Sequence, residues 1–299
     1  MTPTPVVSII IPTLNRRTLL ALAVESVQAQ SFANWELLIV DDRSTDGTAP
    51  YVSGIGDSRV HLISRTDIRG IASARNEGAQ RARGAWLAFL DSDDVWKPHK
   101  LATQLAALER EGREWTFSDV DTVDEQGGLL DRRSHVASVG CGDVLGTLLT
   151  TQVGASISTL VVSARLFGEL GGFDPDPALP EDYDLVLRLA ARHEPVVVRE
   201  ALASIRIHGA RRVNDDQYMM FALAYGRFLG RGGSRRHRRL AHRMRSGHLI
   251  ASAGLAARRG HPAAASDRLA AAAWPGMLNP RWWRGWVRVA VSALWRLPA

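Results

Sequence analysis

The stretch Trp86–Pro98, WLAFLDSDDVWKP, begins as an apolar run and then places acids at three of four successive positions, Asp91, Asp93 and Asp94. The apolar half reads as a buried strand. Carboxylates crowded together repel, and each resists ionising beside the others. A strand that delivers them to one point implies that something positive belongs there.

The flanking segments alternate between strand and helix. VVSIII (6–11) is apolar and β-branched and stops at Pro12. RRTLLALAVESVQAQ (16–30) has apolar residues at helical spacing, and ELLIVDD (36–42) is a second strand ending in acids. A short helix in DGTAPYVSGI and a strand in RVHLI (59–63) follow. GIASARNEGAQRARG (70–84) reads as a helix stopped by glycine, AWLAFLDSDD as the fourth strand, KPHKLATQLAALEREG (97–112) as a helix and EWTFSD (114–119) as the fifth strand. Strands and helices in this order predict βαβ units, a mainly parallel sheet and an α/β, Rossmann-like fold. Such strands are covered on both faces, hence their uninterrupted apolar character. Further on, TLVVS (159–163) reads as a strand and ARLFGELGGFDP as a short helix with a glycine-rich stop. PEDYDLVLRLAARH (180–193) has Pro, Glu and Asp in its first turn and Arg and His in its last, as a helix prefers. PVVVREALASIRIHG (195–209) returns as one or two strands.

In an open α/β sheet the ligand lies beyond the carboxyl ends of the strands. Here those ends carry Pro12-Thr13-Leu14-Asn15, Asp41-Asp42 and Asp91-Ser92-Asp93-Asp94. Three carboxylates at a strand end suit a hard divalent cation, Mg²⁺ or Mn²⁺, with a diphosphate filling the open positions. The alternative is a solvated acidic loop in which Asp93 or Asp94 caps the next helix. The buried strand before these acids and the Asp41-Asp42 pair on a neighbouring strand favour the metal.

The whole chain of 299 residues is 45% hydrophobic and 23% charged, enough to bury a core. No stretch approaches the roughly 18 apolar residues of a membrane span. The N-terminus lacks the basic and apolar regions of a signal peptide. A single cysteine, Cys141, fits a reducing cytoplasm and reads as a packing residue. Charge is divided unevenly. After Asp216 there are 15 arginines and one acid, Asp267, a net +14 against +6 for the whole chain, which leaves about −8 for residues 1–216. This division predicts two domains, 1–215 and a basic, Arg- and Trp-rich helical extension over 216–299. In the extension, NPRWWRGWVRVAVSALWRLP (279–298) places Arg281, Arg284, Arg288 and Arg296 on one helical face and mostly Trp, Val and Leu on the rest. That is the pattern of a helix lying on an anionic membrane surface, or of one docked on the catalytic domain. A nucleic-acid partner is the other use of so basic a tail.

VSIIIPTLNR, ELLIVDDRSTDGT, IRGIASARNEGAQRARGAWLAFLDSDDVWKP, LFGELGGFDP and PEDYDLVLRLA, in this order and at these spacings, resemble glycosyltransferase family 2 over roughly residues 5–210. These are inverting enzymes of the GT-A fold that use nucleotide-diphospho-sugars. The resemblance implies that Pro12, Thr13 and Asn15 form the loop under the nucleobase and that Asp42 hydrogen-bonds the base. It puts Arg69 and Arg75 in the segment over base and diphosphate. Asp91, Asp93 and Asp94 match the D-x-D element, with Asp93 facing ribose or metal and Asp94 ligating metal. Asp182 matches the catalytic base, with Glu181 beside it, and His208 matches a metal- or phosphate-facing histidine. Taken alone, Asp182 would read as a partner of the helix dipole. Phe173 and Gly171-Gly172 either shape the acceptor side or serve as turn and core. No Q-x-x-R-W of processive synthases is present and no transmembrane span, which points to single-sugar addition; the expected donor is of UDP or dTDP type. The acceptor is then a hydroxyl on a glycan, lipid-linked saccharide or small molecule. A catalytically inactive sugar-nucleotide sensor is the remaining alternative.

Overall fold

The computed structural model describes residues 4–67, 69–131, 143–151, 156–207 and 217–272. It divides into two compact units. One comprises Met1–Val144, Val153–Pro177 and Glu181–Gly209, and the other Leu145–Gln152, Ala178–Pro180 and Ala210–Ala299.

The first unit is built on one sheet of nine strands: β1 (Val7–Thr13), β2 (Trp35–Asp41), β3 (Val60–Ser64), β4 (Trp86–Phe89), β5 (Val95–Trp96), β6 (Trp115–Val123), β7 (Leu129–Asp131), β8 (Val161–Ser163) and β9 (Val196–Arg206). The order is β3-β2-β1-β4-β8-β6-β9-β5, with β7 on β6. The first four strands pair in parallel, so the ends of β1, β2 and β4 share one edge. Beyond β4 the sheet is mixed: β8 runs antiparallel to both β4 and β6, while β6 and β9 are parallel. Every residue of β1 and β2 is buried, as strands covered on both faces require. Pro12 is tolerated in this central strand because β4 pairs only with Val7–Ile10. At Pro12 no partner on that side needs a donor.

The helices are α1 (Arg17–Gln28), α2 (Thr48–Ser53), α3 (Ile71–Arg81), α4 (Lys100–Glu111), α6 (Ala164–Glu169) and α7 (Glu181–Ala190), together with the short 3₁₀ turn η1 (Ile157–Thr159). Between η1 and β6 in sequence lies α5 (Val144–Thr151). Two glycines set the close approach of α3 to the sheet. A Cβ on Gly78 would lie 2.6 Å from Ile10 Cγ2, and one on Gly84 would lie 2.6 Å from the Ser8 backbone nitrogen. Gly84 is therefore not the helix stop expected from sequence. The helix ends at Arg81, and Gly84 lets the chain cross β1 where its N–H donates to Ser8 Oγ at 2.8 Å.

Three sequence boundaries also shift. The fourth strand ends at Phe89, and the acids after it form a turn closed by the Asp94 N–H on the Asp91 carbonyl at 3.1 Å. The strand expected over 114–119 continues to Val123 because β9 pairs alongside it, with register shifts at Ser118–Val120. Thr159 belongs to η1, not to a strand.

The second unit is helical: most of α5, then α8 (Gln217–Arg231), α9 (Arg235–Arg258) and α10 (Pro262–Ala271). Ala253, Ala256, Ala257, Ala265 and Leu269 pack α9 against α10. Tyr218, Phe221 and Tyr225 surround His248 at 5.5–6.0 Å, and Tyr225 donates its hydroxyl to the Leu149 carbonyl at 3.2 Å. Among the described residues no helix is long and apolar enough to cross a membrane. The stretch 279–298, His208 and Cys141 lie outside the described residues.

Candidate active site

The site occupies the edge where β1, β2 and β4 end. After β1 the chain turns through Asn15, at a left-handed φ of 53°. The Asn15 side-chain oxygen accepts the Thr45 N–H at 2.7 Å, which ties the β1 and β2 loops together. Asn15 is thus a brace between loops. Pro12, Thr13 and Asp42 line a pocket of about 280 Å³ together with Arg16, Ile71 and Ser92. Thr13 Oγ1 is buried there without a hydrogen-bond partner. Arg65 Nη1 lies 3.0 Å from Asp42 Oδ1, an ion-pair contact whose angles do not make a hydrogen bond. Arg65 is itself held by Glu77 at 3.1 Å and by Ser73 at 2.8 Å. The pocket therefore presents a buried carboxylate and a hydroxyl with unused hydrogen-bonding capacity. Arg69 is exposed, pairs with Asp67 at 2.6 Å and does not line the pocket.

Carboxylate oxygens of Asp91, Asp93 and Asp94 lie within 4.8 Å of one another. Each is held by a different device. Asp91 Oδ1 accepts Arg75 Nη2 at 2.6 Å, and Asp93 Oδ2 accepts Arg16 Nη1 at 2.6 Å. Asp94 is buried. Ser158 Oγ donates to its Oδ2 at 2.6 Å, and the Arg206 backbone N–H to its Oδ1 at 3.0 Å. Burial first, and then the charge of Asp91, pushes the Asp94 carboxyl up to about 8. Such crowding is relieved by a divalent cation, and an all-oxygen donor set fits Mg²⁺ or Mn²⁺.

Several of these supports come from residues that gave no local signal in sequence. Ser158, on η1, also accepts the Asp91 N–H at 3.1 Å. Beneath η1, Trp96 donates to the Ser158 carbonyl at 2.6 Å and Gln104 to the Thr159 carbonyl at 2.9 Å. Gln104 is held by Lys100, a fully buried lysine 4.1 Å from the Trp96 ring centre. Arg206 donates from Nε to the Asp93 carbonyl at 3.1 Å and from Nη1 to the carbonyls of Asp124 and Glu125.

Arg75 is the joint of the site. Its side chain is 2% exposed, and it bridges Asp91 and, at 2.7 Å, Glu181 Oε1. The Arg75 guanidinium also lies 5.3 Å from the Phe173 ring centre. The adjacent Asn76 grips the backbone of Phe173 through both side-chain ends, at 2.8 and 2.9 Å. Phe173 packs on Phe89 and Phe167, and Gly171 and Gly172 take φ of 79° and 70°. Of the two readings of that segment, turn and core is the one observed. Asp182 opens α7 beside Glu181. Burial, then the Glu181 charge, pushes its carboxyl up to about 6, against the pull of Arg75. A carboxyl poised there takes up a proton near neutral pH.

Residues 8–159 match Glycosyl transferase family 2. The chain is 37% identical over 117 residues to the UDP-Glc:alpha-D-GlcNAc-diphosphoundecaprenol beta-1,3-glucosyltransferase WfgD of Escherichia coli, covering 39% of this chain and 46% of that protein. It is 36% identical over 126 residues to the succinoglycan biosynthesis protein ExoO of Rhizobium meliloti, covering 42% and 36%. The chain spans less than half the length of these two curated relatives. Staphylococcus aureus TarS 1–349 in complex with UDP-GlcNAc superposes with a TM-score of 0.73 at 16% identity, over 96% of this chain and 88% of that one. The Pyrobaculum calidifontis mannosyltransferase PcManGT, in complex with GDP-Man and Mn²⁺, gives 0.59 at 19% identity, over 99% and 89%. The fold is therefore GT-A, and with just over half of its length inside the family match, this chain belongs to glycosyl transferase family 2.

Proposed function

We propose that the chain is an inverting, metal-dependent glycosyltransferase. It moves one sugar from a UDP- or dTDP-type donor to a hydroxyl of a lipid-linked saccharide in cell-envelope glycan assembly. Residues 1–215 carry the chemistry, and the basic extension 216–299 serves location. The observation that carries this reading is the buried bridge Asp91–Arg75–Glu181, which couples the acidic turn after β4 to the start of α7, where Asp182 sits.

The division of labour follows from chemistry. Asp42, beside Arg65, accepts an N–H from the base, as uracil or thymine offers. Asp93 and Asp94, joined by Asp91, would hold the divalent cation, which supplies Lewis-acid stabilisation of the charge on the departing diphosphate. Asp182 accepts the proton of the attacking hydroxyl. It comes from a different element than the metal acids because inversion needs attack from the opposite face of the sugar. The acceptor class is supported by the relative that acts on a diphosphoundecaprenol-linked sugar, and the metal by the Mn²⁺ complex of a structural neighbour. The enzyme works in the cytoplasm, associated peripherally with the inner face of the membrane. The test is a nucleotide-sugar panel with Mn²⁺, read by nucleoside diphosphate release and by NMR of the product anomer. Retained configuration overturns the single-displacement mechanism. Tight donor binding without release favours a sugar-nucleotide sensor.

A further inference from the structure

The helical unit is strongly basic. Residues 217–272 hold 11 arginines and one acid, Asp267. Helix α9 concentrates them, with Arg235, Arg236, Arg238 and Arg239 in its first five residues and Arg243 one turn on. At 3.6 residues per turn, Arg235, Arg238, Arg239 and Arg243 fall within an arc of roughly 140°. All four are exposed. None of their guanidinium groups makes a hydrogen bond or ion pair among the described residues.

Local physics opposes this arrangement. The start of a helix carries partial positive charge and favours acids. Arginines three and four residues apart repel across the same face. His242, within that arc, has its pKa lowered by burial and by Arg238 and Arg245, a sign of the positive field there. A solvated face would be served better by mixed charges. The arrangement is complementary to an anion that the described residues do not supply.

We propose that the arginine face of α9, formed by Arg235, Arg238, Arg239 and Arg243, docks on an anionic phospholipid surface. Guanidinium groups match phosphate oxygens in a fork geometry. Downstream in the same chain, Trp282, Trp283 and Trp286 alternate with Arg281, Arg284 and Arg288. Tryptophan and arginine together are the residue types that settle at headgroup level, which favours lipid over nucleic acid as the source of phosphate. The purpose of docking rests on the lipid-linked acceptor proposed above, whereas the binding itself does not.

Each arginine near an anionic leaflet strengthens binding about fivefold. Removing three should therefore weaken it roughly 100-fold. The full chain and its R235Q/R239Q/R243Q variant are sedimented with phosphatidylcholine vesicles, with and without phosphatidylglycerol, at low and high salt. The expected result is salt-sensitive pelleting of the wild type with anionic vesicles only, and the stated loss in the variant. An R235K/R239K/R243K variant should keep most of the binding. Removing like-charge repulsion leaves the melting temperature of the glutamine variant equal or higher. Three results would overturn the proposal: equal pelleting of wild type and glutamine variant, no pelleting of the wild type at low salt, or complete stripping of the wild type by duplex DNA at matched phosphate. Nucleoside diphosphate release without vesicles is read separately. Its absence in the wild type refutes the catalytic reading, whereas its persistence in the glutamine variant shows that only docking was lost.

Discussion

Arg75→Met tests the joint of the site directly. The substitution keeps the length of the side chain and removes its charge. It leaves Asp91 and Glu181 without their shared cation in a largely buried setting. Breaking a buried ion pair from one side costs about 3–5 kcal/mol. Asp91 and Glu181 keep 30% and 20% exposure, so solvent screens them and the lower end applies, about 3 kcal/mol. In a domain of this size 1 kcal/mol shifts the melting temperature by roughly 2–4 °C, so the variant should melt about 6–12 °C lower. Activity carries a second signature. Arg75 lowers the Asp182 carboxyl against burial and Glu181. Without Arg75 that carboxyl titrates higher, and the acid limb of kcat/KM moves to higher pH. Arg75→Lys restores the charge without the fork, so it should recover the position of the limb more fully than the turnover. The assays are differential scanning calorimetry and kcat/KM against pH for the three proteins. A variant that melts with the wild type, or one that loses activity with its acid limb unmoved, would refute the role given to Arg75.

Asp182→Asn should cut turnover roughly 10²–10⁴-fold while nucleotide-sugar affinity, measured by calorimetric titration, stays nearly intact; equal loss of affinity would make Asp182 a structural helix-start residue. In the wild type, Asp182 must be ionised to accept a proton, and its carboxyl lies at about 6, so kcat/KM should fall as pH drops through that value and level off above it. Asp94 holds a proton in the fold up to about pH 8 against 3.8 for an ordinary aspartate. Between those values the folded state binds more protons than the unfolded one, so this residue makes metal-free stability decline as pH rises. Asp94→Asn should accordingly raise the metal-free melting temperature at pH near 8 and abolish the increase produced by Mn²⁺, whereas an undiminished Mn²⁺ response would remove Asp94 from the ligand set. Gly84→Ala forces a Cβ against the Ser8 backbone and should destabilise by about 1–3 kcal/mol, read by urea denaturation; a neutral result would mean that the chain shifts freely at this crossing.

The alternation of strands and helices, the parallel arrangement of β1 to β4 and the gathering of acids at one sheet edge were all legible in sequence. Each rests on a local rule: apolar runs of strand length, helical spacing between them, and the handed, parallel logic that puts consecutive strand ends on one side. Pro12, Thr13, Asp42, Asp91, Asp93 and Asp94 could be placed for that reason. What only the tertiary structure decided is which charges meet. Arg75 is 106 residues from Glu181, and Ser158 is 64 from Asp94. No local pattern encodes such pairs, because a hydroxyl or a guanidinium signals nothing until folding brings its partner within 3 Å. Thus the Arg75 bridge between Asp91 and Glu181 and the Asn15 brace between two loops exist only in the folded chain. Gly84 became a crossing point instead of a helix stop. Sequence pattern determines where polar groups gather, since periodicity and burial are properties of single segments. Protonation and pairing are decided later, because desolvation and Coulomb interaction depend on distances that exist only in the folded chain.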